Sequence, residues 1–110
     1  MLRRSKRRYI ALELECSSSP SLETLADALW NATSRLYGEY GASKIGLVII
    51  EYAADMKIAI VRVSASAVES VRAAIASITN IEGNPMALHV IRVSGTLKSL
   101  RRKVVENIAR

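Results

Sequence analysis

The sequence predicts an α+β fold in which four strands and two helices follow the order β-α-β-β-α-β, and a third helix comes last. Three observations support this prediction. Four short runs are rich in apolar and β-branched residues, as strands are. Three longer segments repeat apolar residues at steps of three and four, as amphipathic helices do. The chain has 110 residues, 50% of them hydrophobic, so it can bury the core of a single domain.

The first half of the chain is predicted to contain a strand, a helix and a second strand. Residues 9–15 alternate between apolar and other side chains, which is typical of a strand. Apolar residues then recur at helical spacing, and we expect this helix to run to about Tyr37. Gly38 and Gly41 are expected to end it. Residues 45–52 form the most strand-like run in the chain.

The second half supplies two more strands and two more helices. Residues 57–63 form the next strand, and the short connection before them predicts a hairpin with the preceding strand. Residues 68–78 carry apolar side chains at helical spacing. A turn at residues 80–85 then leads to a fourth strand, residues 86–93. Residues 97–108 place a last apolar stripe on a helix.

This order matches the ferredoxin-like α-β sandwich, which RNA-recognition-motif domains share. That fold is a four-stranded antiparallel sheet with two helices on one face. A sheet with one face in water should alternate apolar and polar side chains, but residues 45–52 and 86–93 are apolar on both sides. Two helices can cover only one face. We therefore expect the third helix, a partner chain, or both to cover the other face.

The net charge of +6 is concentrated at the two ends of the chain. Residues 1–8 hold five cations and no acid, and residues 92–110 hold six cations and one acid. Residues 9–91 hold nine acids and five cations. Clustered cations are typical of a protein that binds a polyanion, although they can also form a solvated surface or a disordered tail. We divide the chain into a basic N-terminal arm, residues 1–8, and one domain, residues 9–110, which includes the basic helix 97–108.

The fourth strand leads into a Ser94-Gly95-Thr96 turn and then into the most basic helix. The free N–H groups of a helix N-terminus attract phosphate, and small side chains in the turn would let a phosphate approach the backbone. The alternative is structural, because Thr96 can cap the helix while its cations face the solvent. The residues predicted to contact nucleic acid are Arg3, Arg4, Lys6, Arg7, Arg8, Ser94, Gly95, Thr96, Lys98, Arg101, Arg102 and Lys103.

The sequence offers little support for other chemistry. Residues 57–63 contain no aromatic side chain, and the chain contains no phenylalanine, so we do not expect bases to stack on the sheet. His89 is the only histidine, and no nucleophile–base pair or second metal ligand accompanies it. Glu13 and Glu15 share a strand face, which is far more often a solvated strand end than a magnesium site. We expect no catalytic residue, no metal site and no bound cofactor in the chain itself.

We expect a cytoplasmic protein without a membrane partner. Cys16 is the only cysteine, so the chain cannot form an internal disulfide, and a lone thiol fits a reducing compartment. Every apolar run is shorter than the ~18 residues that a membrane-spanning helix needs.

Five segments of the chain resemble one protein family. In order they are RRYIALEL, ALWNATSRLYGEYGASKIGLVIIEY, KIAIVRV, VESVRAAIASIT and IRVSGTLKSLRRK, and together they cover nearly the whole chain. They are similar to protein component 2 of archaeal ribonuclease P, a family with relatives among the small eukaryotic ribonuclease P and MRP subunits. The most specific pieces of the resemblance are LYGEYGASK and VSGTLKSL.

The resemblance implies a fold similar to an RNA-recognition motif with added helices, and a role in ribonuclease P. That ribonucleoprotein removes the 5′ leader from precursor tRNA, and its RNA subunit carries the catalytic magnesium. The implied partners are this RNA, a barrel-shaped protein subunit called component 3, and a second copy of the chain within a heterotetramer. The basic residues would then contact the RNA backbone, and the arm of residues 1–8 would become ordered on binding.

Two other classes of protein fit part of the sequence. A homo-oligomeric ferredoxin-like module that binds a metabolite and regulates an enzyme would explain the second apolar face, but it leaves the terminal cations without a role. A protein-interaction scaffold would tolerate reversal of charge at both termini. Co-purification with a large structured RNA, lost after nuclease treatment, distinguishes the ribonuclease P hypothesis from the metabolite-binding module.

Overall fold

A computed structural model describes the backbone of residues 6–108 and the side chains of residues 6–105. It confirms the α+β prediction, with one four-stranded antiparallel sheet, two helices on one face and a third helix on the other. In chain order the elements are β1 (Arg7–Glu15), α1 (Leu22–Ile45), β2 (Val48–Ala53), β3 (Ile58–Ser64), a 3₁₀ turn (Ala65–Ala67), α2 (Val68–Ala76), β4 (Asn80–Ile81), β5 (Asn84–Pro85), β6 (Ala87–Ser94) and α3 (Leu97–Ile108).

The strands of the main sheet lie in the order β2-β3-β1-β6, each antiparallel to its neighbours. β1 and β3 are therefore the central strands, and β2 and β6 are the edges. β4 and β5 form a separate small hairpin where the sequence predicts only a turn. Glu82 and Gly83 connect them with φ of 52° and 80°, and positive φ at both central residues is what a type I′ hairpin turn requires.

The main core lies between the sheet and the helices α1 and α2. β1 and β3 turn alternate residues into it, and the helices contribute residues three or four positions apart. Fully burying one aliphatic side chain stabilises the fold by ~1.5–3 kcal/mol relative to leaving it exposed, so this core holds both helices against the sheet. Its largest fully buried side chains are Ile10, Leu12, Leu14, Leu25, Leu29, Val61, Val63 and Val71.

A smaller second core lies on the other face of the sheet, under α3. Leu100 and Val104 of the helix pack with Ala11 of β1 and Ile60 of β3, and all four residues are buried. The two helix residues are four positions apart, so they lie on the same side of α3. This packing confirms the expectation that the third helix covers the second apolar face.

A β-bulge in each edge strand changes which side chains share a face. In β2 the register skips Ile50, so Ile49 and Glu51 pair with consecutive residues of β3. In β6 the register skips Ile91 in the same way against β1. Both skipped isoleucines pack against the second core. Each bulge therefore adds one apolar side chain to the face that α3 covers.

The two bulges make part of the predicted face assignment wrong. The period-two pattern predicts that Tyr52 shares a face with Ile50, and Val93 with Ile91. In the structure Tyr52 and Val93 pack against the main core instead. The reason is that one extra residue in a strand moves every later side chain to the opposite face.

The helix α1 begins at a capped N-terminus and is kinked within its length. The Ser21 hydroxyl accepts a hydrogen bond from the Thr24 N–H at 3.1 Å. Gly38 has φ 74° and ψ 167°, which glycine adopts far more readily than other residues. The helix resumes after Gly38 and ends at Ile45, followed by Gly46 with φ 64°. The predicted helix end at Gly38 is thus a kink, and Ile45 belongs to α1 and not to β2.

Candidate nucleic-acid interface

Basic residues from both ends of the chain meet at one end of the main sheet. Tyr9 of β1 pairs with Ser94, the last residue of β6. The start of β1 therefore lies beside the turn that follows β6. Arg7 and Arg8 are the first two residues of β1, so the predicted boundary of the arm at residue 8 is corrected, and both arginines belong to the sheet. The fold thus joins two charge clusters that are far apart in the sequence.

One further cation of the predicted arm, Lys6, directly precedes β1 at this end of the sheet. Arg3 and Arg4 lie outside the described residues. Lys6 is exposed, and its carbonyl accepts a hydrogen bond from the Ala65 N–H at 2.9 Å, which holds the backbone there. Lys44, from the last turn of α1, lines a shallow depression together with Lys6. Lys44 is a basic neighbour that the sequence analysis missed.

The Arg8 side chain of β1 lies beside the turn that follows β6. The Nη1 atom of Arg8 lies 3.9 Å from the point that a β-carbon on Gly95 would occupy. The same atom donates a hydrogen bond to the Arg7 carbonyl at 3.0 Å. Gly95 is itself exposed, so a phosphate that approached its backbone would also meet the Arg8 guanidinium.

Thr96 caps the helix α3, as the structural alternative predicts. Its Oγ1 accepts a hydrogen bond from the Ser99 N–H at 3.2 Å. The Thr96 N–H donates in turn to the Ser94 hydroxyl at 3.3 Å. By helix geometry the N–H groups of Leu97 and Lys98 have no partner inside the helix, so they give this end of α3 a partial positive charge.

The cations of α3 do not form one free surface. Lys98 and Arg102 are exposed and lie four positions apart, so they share a face of the helix. Arg101 forms an ion pair with Glu51 of β2, and Lys103 is half-buried. Of the predicted contacts on α3, Arg101 therefore differs from Lys98 and Arg102, because its guanidinium is already paired with a carboxylate of β2.

Two further arginines of the sheet lie at this end and were missed by the sequence analysis. Arg62 of β3 pairs with Tyr9, and Arg92 of β6 pairs with Ala11. Tyr9 and Ala11 both belong to the α3 side of the sheet, and directly paired residues point to the same face, so both arginines do too. The sequence did contain one indication of Arg62, since it is the one charged residue within the otherwise mostly apolar residues 58–64.

The acidic side chains of β1, Glu13 and Glu15, lie towards the opposite end of the sheet. Glu13 pairs with both Ile58 and His89. The Oε1 atom of Glu15 lies 3.3 Å from the Nε2 atom of His89, and both side chains are exposed. β1 therefore carries Arg7 and Arg8 at one end and Glu13 and Glu15 at the other, and a separation of this kind would draw a polyanion towards the basic end.

Three other features would indicate a different function, namely a metal site, a reactive side chain or a membrane-spanning helix. Among the described residues, no three His, Cys, Asp or Glu side chains are grouped so that they could hold a metal ion. Burial raises the pKa of the Tyr52 phenol, but its hydroxyl donates to the Pro20 carbonyl at 2.6 Å, which is a structural contact. Within residues 6–108, we find no helix with the length and apolar content needed to span a membrane.

Comparison with known proteins identifies relatives of this chain in archaea. Ribonuclease P protein component 2 of Pyrococcus furiosus is 32% identical over 100 residues, which cover 91% of this chain and 83% of that protein. The protein of the same name from Methanosarcina barkeri is 28% identical over 106 residues, covering 96% of this chain and 77% of the relative.

A solved structure and a family model complete the comparison. One chain of the yeast ribonuclease MRP cryo-EM structure superposes with a TM-score of 0.67, covering 99% of this chain and 95% of that chain. Its sequence identity is 19%, so this similarity shows a shared fold. The model of the Rpp14/Pop5 family matches residues 8–105. This chain belongs to the Rpp14/Pop5 family.

Proposed function

We propose that this chain is a protein subunit of ribonuclease P, which helps the catalytic RNA to remove the 5′ leader from precursor tRNA. The relatives that carry the name of this ribonucleoprotein support the assignment. The observation that carries the proposal is the register of β1 against β6, which places Arg7 and Arg8 beside the Ser94-Gly95-Thr96 turn.

The proposed contribution of the chain is to bind and hold RNA, and the RNA does the cutting with its own magnesium. Lysine and arginine neutralise phosphates, and this releases counterions. Contacts of this kind position a nucleic acid without selecting its sequence. The Arg8 guanidinium lies beside Gly95, just before the N-terminus of α3, and the exposed Lys98 follows in the first turn of that helix. We expect these groups to engage neighbouring phosphates of one RNA segment.

We also propose protein partners within the same particle, namely the component 3 subunit and a second copy of this chain. The outward side of α1 supports a protein contact because it exposes large apolar side chains. Tyr40 is 75% exposed and Trp30 is 44% exposed, and aromatic side chains are enriched where proteins meet. A cytoplasmic location goes with this proposal, since Cys16 is a free thiol.

Reconstituted cleavage of precursor tRNA tests the proposal. The particle is assembled from ribonuclease P RNA and the other protein subunits, with or without this chain, at low magnesium concentration. Cleavage is expected to fall when the chain is omitted and to return when it is added. The double variant Arg7→Gln/Arg8→Gln is expected to restore cleavage poorly. Its matched control, Arg35→Gln/Arg72→Gln, removes the same charge from the exposed faces of α1 and α2 and is expected to restore cleavage fully.

Equal cleavage with and without the chain contradicts the subunit role. Equal rescue by the two double variants contradicts the basic end of the sheet as the RNA-binding surface. The metabolite-binding module loses its main support, because α3 already covers the apolar face that it was meant to explain.

A further inference from the structure

One row of side chains lies across the sheet just beyond the area that α3 covers. The strand register places Val48, Arg62, Tyr9 and Ser94 side by side on β2, β3, β1 and β6. We call these four residues the open row. In the neighbouring row the two central residues, Ile60 and Ala11, are buried under Leu100 and Val104, whereas Val48 at the edge of the open row is 45% exposed. The open row is therefore the first part of this face that a ligand can reach.

Arg62 is the unusual member of the open row. It stands on a central strand and is partly buried, and its Nε atom is shielded from solvent with no hydrogen-bond partner among the described residues. Buried polar groups in proteins are nearly always paired. The ion pairs found in the described part of the chain do not include Arg62 either. The Arg62 side chain as a whole is only partly buried, so an acceptor from a ligand can meet its accessible part, and a small shift of the side chain would bring Nε to that acceptor.

Two more cations, Arg7 and Arg92, flank the open row, and a ligand bound among these positive charges is expected to be an anion. Arg7 pairs with Ser64, two positions beyond Arg62, so Arg7 and Arg62 are diagonal neighbours on one face. Arg92 stands in the same diagonal relation to Tyr9 on the other side of β1. Arg7 and Arg62 are close enough for their like charges to repel, and an anion bound between these two guanidinium groups would offset that repulsion. Guanidinium groups match the oxygen geometry of phosphate in particular.

Tyr9 adds an aromatic ring beside the Arg62 guanidinium. It lies on the central strand β1, next to Arg62 in the register, and it is only partly buried by the second core. An aromatic ring next to a phosphate-binding arginine is the combination that holds single-stranded nucleic acid, since every base can stack on a ring. Because β3 has no aromatic residue, the sequence analysis predicted that bases do not stack on this sheet. The structure shows that Tyr9 of β1 places an aromatic ring beside β3.

We propose that the open row binds one unpaired nucleotide of RNA, with its phosphate on Arg62 and Arg7 and its base against the Tyr9 ring. This inference rests on the proposed RNA-binding function and goes further, because it assigns a single-stranded segment to a defined place. The contact with Arg62 is electrostatic and the contact with Tyr9 is not. The two therefore respond differently to salt, and this difference makes the site testable.

The test uses the full chain with a fluorescent 12-nucleotide single-stranded RNA and a 12-base-pair RNA duplex, and binding is measured by fluorescence anisotropy at several salt concentrations. Arg62→Gln is expected to weaken single-strand binding about tenfold and to reduce the log-log salt slope by ~0.7. Tyr9→Leu is expected to weaken it about tenfold with an unchanged slope, and to leave duplex binding unaltered. Arg72→Gln, on the opposite layer of the fold, is the control and should change affinity less than twofold.

Folding of each variant is checked by thermal unfolding, and Arg62→Lys provides a milder change that keeps the charge. It should preserve the salt slope and still lose affinity, because lysine lacks the planar fork of arginine. Photocrosslinking of the wild-type chain to a 4-thiouridine RNA needs no variant at all. The crosslinked peptide is expected to contain Tyr9, and crosslinks confined to other elements would overturn the site.

The outcomes also separate this inference from the proposed function. If the wild-type chain binds ribonuclease P RNA while Arg62→Gln behaves like Arg72→Gln, the nucleotide site is wrong and the subunit role stands. Equal effects of Tyr9→Leu on single strand and duplex likewise overturn the site. If the oligonucleotide binds through Arg62 and Tyr9 but the chain does not support cleavage, the site stands and the ribonuclease P role is wrong.

Discussion

Replacing Glu51 by Gln tests how the cations of α3 are used. The Glu51 carboxylate forms an ion pair with Arg101, and these side chains are 40% and 54% exposed. A pair as exposed as this contributes about 0–1 kcal/mol to stability, so Glu51→Gln is expected to lower the free energy of unfolding by less than ~1 kcal/mol. The same change releases the Arg101 guanidinium and leaves the fold otherwise intact.

The released arginine should become visible in RNA binding. Each phosphate that a cation neutralises contributes about 0.7–0.9 to the log-log slope of affinity against salt. Glu51→Gln is therefore expected to steepen the slope by up to that amount. Arg102→Gln, which removes an exposed cation, should flatten it by a similar amount. Arg101→Gln should change it much less, because the ion pair with Glu51 already occupies that side chain.

Binding of labelled ribonuclease P RNA at five salt concentrations measures all three slopes. Equal flattening by Arg101→Gln and Arg102→Gln, together with an unchanged slope for Glu51→Gln, would refute the reasoning. Such a result would mean that Arg101 contacts RNA in spite of the carboxylate beside it.

Two further predictions concern stability. Leu100 of α3 is fully buried against the sheet, so Leu100→Ala should lower the free energy of unfolding by about 2–5 kcal/mol in urea titration. Val105→Ala, at a site of the same helix that is 64% exposed, should cost less than ~0.5 kcal/mol. Similar losses for the two variants would show that α3 is not docked through Leu100. Burial raises the pKa of the Tyr52 phenol above its ordinary 10.0, so its stabilising contribution is complete below pH 10 and is lost as the pH rises through the higher folded-state pKa. Tyr52→Phe removes the hydrogen bond to Pro20 and should lower stability by about 1 kcal/mol at pH 7, and a difference from the wild type that fails to shrink above pH 10 would contradict this account.

Elements with one clear periodicity were predictable from the sequence. β1 and β3 each turn every second side chain into the main core, and their patterns gave their positions to within two residues. α2 shows the helical spacing equally well, with Val71 and Ile75 buried. These elements were predictable because local side-chain spacing alone determines which face is buried.

The features that the sequence analysis missed depend on contacts between distant segments. The bulges at Ile50 and Ile91 belong to the pairing of two strands, and no pattern within one strand reveals them. Gly38 was expected to end α1, but a helix can restart after one residue of unusual backbone geometry.

The candidate site was predictable only in part, for the same reason. The sequence analysis found the two basic clusters, but it did not show that the register of β1 joins them. Nor did it show that Glu51, half a chain away from Arg101, engages that arginine.

The position of the first strand in the middle of the sheet has a kinetic consequence. β1 lies between β3 and β6, so it can complete its pairing only after the last strand has arrived. Closing a loop of that length is entropically costly and slows folding. Arg8 and the turn at Gly95 come together only when β1 pairs with β6. A chain in which β1 and β6 have not yet paired therefore carries the same total charge but lacks the proposed phosphate-binding surface, which exists only where these two strands meet.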